Sequence, residues 1–407
     1  MKTHKVLIIG GGFGGVKAAQ ILGRDSRCSV KMIDPRNFME YHAATYRLTT
    51  GRSPLEVCVP YTQLLRSSNA EVVKDAIVEI DHANKLAKGT SGSTYAYDTA
   101  ILAVGCESSY FGIQGVEQNA FSINSVNDAL KLRRHIHSLF DRAKDCEPAE
   151  KVPLLHIVVI GGGASGTELA GEFGAYTRNL ARIHNVDPSL VTVDLIEAMP
   201  RILPGLPEAL SAHALKRLRK LGVNVYLNRS VVKEDVDSLF LKDMEMTTKT
   251  VVWTAGLQAN RMTASIAGAK LDRRGRVTVD DRLQATGMKD FYAIGDVAST
   301  QYSGMAQTAL ADAEYVARSL QNQLSGWVTE PYIQPKPSYA VPVGPSYAVV
   351  LFNGWQFHGF VGWMLRRAAD FIAFTELLGP VRAVKAWLAG TVKQESCPTC
   401  EKSLCGC

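Results

Sequence analysis

Val6-Leu7-Ile8-Ile9-Gly10-Gly11-Gly12-Phe13-Gly14-Gly15 is a run of aliphatic residues that ends in a glycine-rich turn. A turn of the same design occurs later, in Ile157-Val158-Val159-Ile160-Gly161-Gly162-Gly163-Ala164-Ser165-Gly166. Each aliphatic run predicts a buried strand, and each turn opens a helical pattern. In that setting the spacing G-x-G-x-x-G is typical of a dinucleotide pyrophosphate site. Two copies predict two nucleotides on one enzyme and electrons passing between them.

Each glycine in the turn has its own physical task. Gly10 allows the tight turn from strand to helix, Gly12 lets the backbone approach the pyrophosphate, and Gly15 lets the helix pack closely on the sheet. The diphosphate is then expected at the helix N-terminus, where free N–H groups and the helix dipole favour an anion. The same three positions in the second turn are held by Gly161, Gly163 and Gly166.

An acidic residue is expected at the end of the strand after each turn, where it binds a ribose hydroxyl. Asp34 ends the first such strand and Glu197 ends the second. The second spacing is longer, so we expect an extended crossover helix there. Glu197 would repel a 2′-phosphate, which favours NADH over NADPH. Arg201 follows four residues later and could tolerate that phosphate, so the preference is not an exclusion.

Length and composition indicate an ordinary globular enzyme. A chain of 407 residues with 46% hydrophobic residues suits two or three domains with a full core. The net charge of +6 does not favour nucleic acid, and it is compatible with an anionic membrane surface. The first strand begins by about Lys5, which leaves no room for a signal peptide. We therefore expect the nucleotide sites on the cytoplasmic side of the membrane.

The C-terminal region predicts a separate module. No charged residue occurs between Lys336 and Arg366, but the prolines and glycines there favour strands over a spanning helix. Residues 339–352 and 355–361 predict a hairpin that turns at Asn353-Gly354. Residues 362–389 combine apolar and basic residues around Gly379-Pro380. They favour two short helices in the membrane interface, with a helical cover over the core or over a homodimer partner as the alternative.

Several further segments resemble the two-dinucleotide flavoproteins, and among them the type II NADH dehydrogenases. The segments are Asp34-Pro35-Arg36-Asn37, Gly166-Thr167-Glu168-Leu169-Ala170-Gly171-Glu172, Trp253-Thr254-Ala255-Gly256, Gly295-Asp296 and Ala306-Gln307-Thr308-Ala309. Members of this family are single-subunit, peripheral membrane NADH:quinone oxidoreductases. The resemblance implies FAD at the first turn and NADH at the second. It also implies a non-proton-pumping transfer of electrons to a membrane quinone.

The resemblance also implies roles for single residues. Around FAD it places Arg36, the turn formed by Ala103 and Gly105, and Asp296. Gly256 closes the NAD domain, and Ala306 begins the quinone-site signature. Glu172 is expected to orient NADH or relay a proton, and Gln307 to hydrogen-bond the quinone or the flavin. The usual second glutamine of that signature is replaced here, because Ala311 and Asp312 follow instead.

The predicted fold class is α/β, with two Rossmann-like dinucleotide-binding domains and the NAD domain inserted in the FAD domain. The FAD domain takes residues 1–120 and 258–330, and the NAD(H) domain takes 121–257, including a helical linker at 127–145. Residues 331–395 form the C-terminal membrane-interface module, and 396–407 form a cysteine-rich tail. The four thiols of that tail leave zinc, a redox pair, lipid attachment or no role open. Flavin chemistry itself needs no metal.

Two other classes remain as alternatives. A disulfide reductase is disfavoured, because Cys58 is the only cysteine between Asp34 and Pro60. A sulfide:quinone oxidoreductase would use Cys106 and Cys146, but no cysteine lies between Asp296 and Cys397 to complete its usual set. A signalling flavoprotein of the apoptosis-inducing-factor type would bind NADH but turn over slowly.

Overall fold

The computed structural model describes residues 3–52, 54 and 57–389. The thiols of the cysteine-rich tail, with the zinc, redox or lipid roles considered for them, lie outside the described residues. The α-helices of the described part are α1 Phe13–Leu22, α2 Tyr61–Leu64, α3 Val116–Asn119, α4 Val126–Ala143, α5 Pro148–Leu154, α6 Ala164–Ile183, α7 Glu208–Lys220, α8 Ala306–Leu324, α9 Gly359–Leu378 and α10 Pro380–Ala389.

The strands of the described part are short and belong to several sheets. In chain order they are β1 His4–Ile9, β2 Cys28–Asp34, β3 Phe38–Glu40, β4 Cys58–Pro60, β5 Glu71–Lys74, β6 Ile77–Asp81, β7 Leu86–Gly89, β8 Thr94–Ala96, β9 Thr99–Leu102, β10 Cys106–Ser108, β11 His156–Ile160, β12 Thr192–Ile196, β13 Val223–Tyr226, β14 Val231–Glu234, β15 Ser238–Leu241, β16 Glu245–Thr247, β17 Thr250–Trp253, β18 Leu257–Ala259, β19 Val277–Thr278, β20 Phe291–Ala293, β21 Ala298–Ser299, β22 Tyr339–Pro342, β23 Ala348–Phe352 and β24 Trp355–His358.

The first nucleotide turn leaves the middle of a parallel five-stranded sheet with the order β20-β9-β1-β2-β5. Its central strand β1 is aliphatic and buried, as expected for a parallel sheet covered on both faces. Strand β20 comes from far along the chain and pairs with β9. The chain therefore leaves this sheet, builds a second one and returns, which is the insertion that the sequence predicts.

The second turn leaves a parallel four-stranded sheet with the order β13-β12-β11-β17. Its crossover helix α6 has 20 residues, against 10 in α1. This confirms the extended crossover that the spacing to Glu197 indicates. Both turns thus open helices at the carboxyl ends of parallel strands, where ligands bind in folds of this type.

The C-terminal module is an antiparallel sheet, β22-β23-β24, followed by α9 and α10. The hairpin turn at Asn353 and Gly354 is confirmed, since both residues have positive φ as a type I′ turn requires. Two boundaries differ from the prediction. The strand 339–352 is split between Pro342 and Ala348 by a turn with Gly344 at φ +71°, and the strand from Trp355 stops at His358, where α9 begins.

Helix α9 is also longer than predicted, with 20 residues before the break at Gly379, whose φ is +78°. Within the described residues, no helix combines the length and the apolar character needed to cross a membrane.

Candidate active site

The first glycine turn is shaped by close backbone contacts. Gly10 has φ +102°, and a side-chain carbon there would lie 2.5 Å from the carbonyl oxygen of Ala103. A carbon on Gly15 would lie 1.9 Å from the carbonyl oxygen of Gly10, so the helix can approach the strand only without a side chain. Gly12, directly before α1, has open space where its side chain would be. The turn therefore leaves room for a diphosphate at the N-terminus of α1.

Asp34 lies at the end of β2 beside this turn and is almost fully buried. Its Oδ2 accepts a hydrogen bond from the Gly11 amide at 2.7 Å. Arg36 donates to Oδ1 at 3.0 Å and also pairs with Glu40 at 2.7 Å. With the Arg36 amide and Nη2 as further donors, Asp34 accepts four hydrogen bonds, about the number that a carboxylate can take, so a ribose hydroxyl has to displace or share one of the Arg36 bonds.

Asp296 lies in a 3₁₀ helix, Gly295–Val297, that follows the edge strand β20 of the same sheet. The amide of Gly304 donates to its Oδ1 at 2.7 Å, and the thiol of Cys106 donates to Oδ2 at 3.2 Å. Burial and the neighbouring Asp296 carboxylate raise the pKa of Cys106 well above its ordinary value. Cys106 therefore stays a thiol at neutral pH, whereas a nucleophilic cysteine needs the opposite shift.

The glycines of the second turn make nearly the same close backbone contacts as those of the first. Gly161 has φ +106°, and a carbon there would lie 2.9 Å from the Ala255 backbone. A carbon on Gly166 would lie 1.8 Å from the Gly161 carbonyl oxygen. Gly163, directly before α6, faces open space. The glycine turns Gly10–Gly15 and Gly161–Gly166 thus form two diphosphate cradles of the same geometry.

Glu197 is buried at the end of β12 and turned toward this second cradle. Its Oε2 accepts from the Gly162 amide at 2.5 Å and its Oε1 from the Met199 amide at 2.7 Å. Arg201 points elsewhere, because its guanidinium donates to the carbonyl oxygens of Leu206 and Pro204 at 2.7 Å each. Arg201 is the residue that could tolerate the 2′-phosphate of NADPH, but its guanidinium is already bound to backbone carbonyl groups.

The two cradles face a common junction. The turn with Gly105, at φ +70°, leads from the first sheet into β10, and the turn with Gly256, at φ +84°, leads from the second sheet into β18. Strands β10 and β18 pair with each other, with Cys106 opposite Ala259. Both sheets therefore send their carboxyl-end turns into one two-stranded connection. The fold thus connects the strand ends beside the two glycine turns, which the linear sequence cannot show.

Helix α8 begins at Ala306 and packs along α1. Its second residue, Gln307, is exposed and forms two hydrogen bonds with the backbone of Ser338, donating at 3.1 Å and accepting at 3.2 Å. Ser338 directly precedes β22 of the C-terminal module. Gln307 therefore joins the helix next to the first cradle to the strand that opens the C-terminal module.

Glu172 and Glu168 lie one turn apart on α6, close to Tyr46. Burial raises the pKa of Glu168 to about 7, although the neighbouring Arg366 and Arg47 oppose that shift. Glu172 is buried nearby, and both carboxylates help to raise the pKa of Tyr46. Glu168 lies in the same sequence segment as Glu172, but the sequence pointed only to Glu172.

Sequence reasoning did not identify the charged side chains that surround Glu168. Arg366 and Asp370 on α9 are buried ion-pair partners, and Asp370 also pairs with Arg47 at 3.2 Å. Arg366 and Arg367 are among the basic residues of the segment 362–389 that is predicted to lie in the membrane interface, but the structure turns both side chains inward. Arg366 binds the Ala43 and Ala340 carbonyls, and Arg367 stacks on Trp387 inside the module. The i, i+4 spacing of Arg366 and Asp370 was the signal in the sequence.

Comparisons with known proteins agree with this geometry. The pyridine nucleotide-disulphide oxidoreductase family model matches residues 4–313. The type II NADH:quinone oxidoreductase Ndh of Mycobacterium tuberculosis is 31% identical over 384 residues, which cover 89% of this chain and 83% of that protein. The type II NADH:quinone oxidoreductase of Staphylococcus haemolyticus is 29% identical over 398 residues, covering 94% of this chain and 98% of that protein.

Solved structures share the fold. NDH2 from Plasmodium falciparum in complex with NADH aligns with a TM-score of 0.84 at 17% identity, covering 95% of this chain and 98% of that chain. The sulfide:quinone oxidoreductase of Aquifex aeolicus aligns with a TM-score of 0.76 at 19% identity, covering 90% of each chain.

The chain belongs to the pyridine nucleotide-disulphide oxidoreductase family, whose two-dinucleotide fold the paired cradles define. Its curated relatives narrow the class further. Within the family it is a type II NADH:quinone oxidoreductase, which confirms the predicted fold class and enzyme class. The general prediction of NADH together with a flavin-type cofactor is also confirmed.

Proposed function

We propose that FAD is the flavin, that it occupies the cradle at Gly12, and that NADH occupies the cradle at Gly163. The observation that supports electron transfer between the two cradles is the junction of β10 with β18, which connects them. Asp34 and Asp296 lie on the FAD side, and Glu197 lies on the NADH side. A bound flavin supplies the change from hydride transfer to electron transfer. The protein supplies position, charge and protons.

In this proposal Glu168 holds the proton that the quinone takes up. A carboxyl group with a pKa near the working pH can both hold and release a proton. Arg366 and Arg47 stabilise the carboxylate that remains after transfer. Glu172, one turn further on α6, is placed to return a proton to Glu168.

Gln307 is proposed to contact the quinone from the N-terminal end of α8. Its Nε2 donates one hydrogen to Ser338, which leaves the second hydrogen for a quinone carbonyl. The bonds with Ser338 fix the amide in one orientation.

The outer face of α9 is proposed to lie on the membrane surface that carries the quinone. Most exposed positions of α9 are apolar, at Phe360, Val361, Met364, Leu365 and Ile372, and the charged exception is Glu376 near its C-terminal end. The inner face carries Arg366, Arg367 and Asp370. This is the reverse of an ordinary surface helix, which turns its polar face to water. An apolar outer stripe at helical spacing fits the interface of a bilayer.

The orientation on the membrane follows from the substrate. Since NADH is a cytoplasmic substrate, we propose that the protein docks on the cytoplasmic side. A homodimer that covers part of the same face stays an alternative, and the proposed domain boundaries and the absence of proton pumping stay predictions.

The decisive experiment uses the purified protein with a short-chain quinone. We expect FAD to be released on denaturation, and we expect quinone reduction with NADH that greatly exceeds the rates with NADPH or sulfide. A sulfide-driven rate that depends on Cys106 would favour the sulfide:quinone oxidoreductase alternative. Slow NADH oxidation that quinone does not stimulate would favour the signalling flavoprotein.

A further inference from the structure

A line of hydrogen bonds joins the solvent to the middle of α6. His184 Nδ1 lies 2.8 Å from Asp141 Oδ1, and His184 Nε2 lies 3.0 Å from His137 Nδ1. His137 Nε2 lies 3.2 Å from the hydroxyl of Tyr176. The Asp141 side chain is 58% exposed, whereas that of His184 is 9% exposed. The line therefore begins at the surface, at the C-terminal end of α4, passes the buried His184, and continues through the half-buried His137 and Tyr176.

The line continues along α6 toward the proposed quinone site. Four residues stand at intervals of four or eight positions, which places them on one i, i+4 ridge of the helix. They are Glu168, Glu172, Tyr176 and His184. Leu180 interrupts this ridge, and His137 on α4 bridges the interruption by bonding to both Tyr176 and His184. From Glu168 to His184 the ridge covers about 24 Å at the rise of an α-helix.

The reaction needs such a path, because it consumes a proton. NADH, one proton and the quinone give NAD⁺ and the quinol. Two electrons and one proton come from NADH as hydride, and the second proton must come from water. Glu172 is buried and Glu168 is half-buried, near Arg47 of the 3₁₀ helix His42–Thr50 and Arg366 of α9, so a defined route for their proton supply is useful to the reaction.

We propose that Asp141, His184, His137 and Tyr176 form the proton-uptake path that recharges Glu172 and Glu168 after each quinone reduction. This rests on the proposed function. One proton enters at Asp141 per quinone reduced, and one leaves Glu168 for the quinone oxygen, so charge and atoms balance. Tyr176 and Glu172 lie one helical turn apart on α6, and the proposed path crosses this step through a water molecule.

The chemistry of the imidazoles suits this task. Burial, with Arg133 on the same helix, lowers the pKa of His137 to about 4, so the ring is neutral at neutral pH. A neutral imidazole accepts a proton at one nitrogen and releases one at the other. Hydrogen bonds to Lys144 and His184, against the opposing effect of burial, lower the pKa of Asp141, so it collects protons without holding them.

The test compares Tyr176→Phe and His137→Gln with wild type, and adds His137→Ala for rescue by imidazole. Tyr176→Phe removes one hydroxyl and keeps the ring, so the fold is preserved. His135→Gln is the matched control, since His135 lies on the same helix and bonds to Lys249 and Thr250 outside the line. Each enzyme is assayed with NADH against a short-chain quinone and against ferricyanide, which takes electrons but no proton.

We expect both path variants to lose about 100-fold in quinone turnover, the size typical of a lost proton-transfer group. Ferricyanide turnover and bound flavin stay at wild-type levels, the solvent deuterium isotope effect rises, and added imidazole restores turnover in His137→Ala. Wild-type quinone turnover in both variants would overturn the path. A parallel loss with ferricyanide would also overturn it, because it shows a purely structural role. A wild-type enzyme without quinone activity would instead refute the proposed function itself.

Discussion

Arg366 and Asp370 lie one turn apart on α9, with Arg366 Nη2 3.1 Å from Asp370 Oδ1, and their side chains are 13% and 4% exposed. Asp370 Oδ2 also lies 3.2 Å from Arg47 Nη2, and the hydroxyl of Tyr41 donates to Oδ1 at 3.2 Å. Tyr41 and Arg47 belong to the segment around the 3₁₀ helix of the first domain. One buried carboxylate therefore fastens the C-terminal module beside the first nucleotide site.

Replacing Asp370 is expected to destabilise the protein. Asp370→Asn removes the carboxylate that pairs with two buried guanidinium groups, so we expect the free energy of unfolding to fall by about 3 kcal/mol. Burial would raise the pKa of Asp370, but Arg366 and Arg47 outweigh burial and hold it below its ordinary value. This stabilisation is therefore present above the unfolded-state pKa and disappears as pH falls through the folded-state pKa.

Denaturant unfolding at neutral and acid pH measures both effects. The matched control is Glu376→Gln on the exposed face of α9. Equal stability of Asp370→Asn and the control at neutral pH would contradict the assigned role of the cluster.

Quinone reduction is expected to decline as pH rises through about 7. Burial raises the pKa of Glu168 to about 7 from 4.5, so the carboxyl group holds its proton below that pH and loses it above. The same shift makes the folded state less stable as pH rises from about 4.5 to 7. Glu168→Gln should lower quinone turnover about 100-fold and abolish this pH dependence. A pH profile that is identical in wild type and Glu168→Gln would rule the proton-donor role out.

Two glycine substitutions test which nucleotide occupies which cradle. Gly12 and Gly163 both face open space, so a valine at either position fits the fold but fills the cradle. We expect Gly12→Val to be purified without FAD. Gly163→Val should keep FAD but lose its reduction by NADH. Flavin absorbance and rapid-mixing reduction distinguish the two, and the reverse pattern would exchange the sites.

Glu197 is expected to set the preference for NADH. Glu197→Ala removes an acceptor for the ribose hydroxyl and a charge that repels a 2′-phosphate. The ratio of kcat/KM for NADH over NADPH should fall by about tenfold or more, equivalent to roughly 1.4 kcal/mol. Glu208→Ala, an exposed residue at the start of α7, is the control. An unchanged ratio would show that the specificity lies elsewhere.

The exposed stripe of α9 is expected to bind lipid. Ile372 and Met364 are 57% and 54% exposed, and a glutamate at either position should greatly reduce co-sedimentation with vesicles that contain anionic lipid. Val236→Glu is the control, because Val236 is 77% exposed but lies in the NAD domain. Unchanged vesicle binding, with dissociation of a dimer in sedimentation velocity, would assign the stripe to a homodimer instead.

Much of the candidate site could be predicted because its residues are close in sequence. Gly10, Gly12 and Gly15 act within one turn, and Asp34 follows at the end of the next strand, so local spacing alone indicates the chemistry. Arg201 shows the limit of this reasoning. Its position near Glu197 suggested a phosphate contact, but its guanidinium binds backbone carbonyl groups instead. Every residue has such a carbonyl group, so residue types alone cannot predict these partners.

The sequence by itself determined the two parallel sheets, their glycine cradles and the acid that lies beside each of them, because these depend on strand periodicity and on backbone room within a few residues. Only the tertiary structure determined which charged side chains are buried and with which partners they pair. Asp370 meets Arg47 from 323 positions away, and Arg366 turns inward from a helix whose apolar face points out. Burial of charge is favourable only where a partner and hydrogen bonds compensate for lost hydration, and those partners are brought together by the fold.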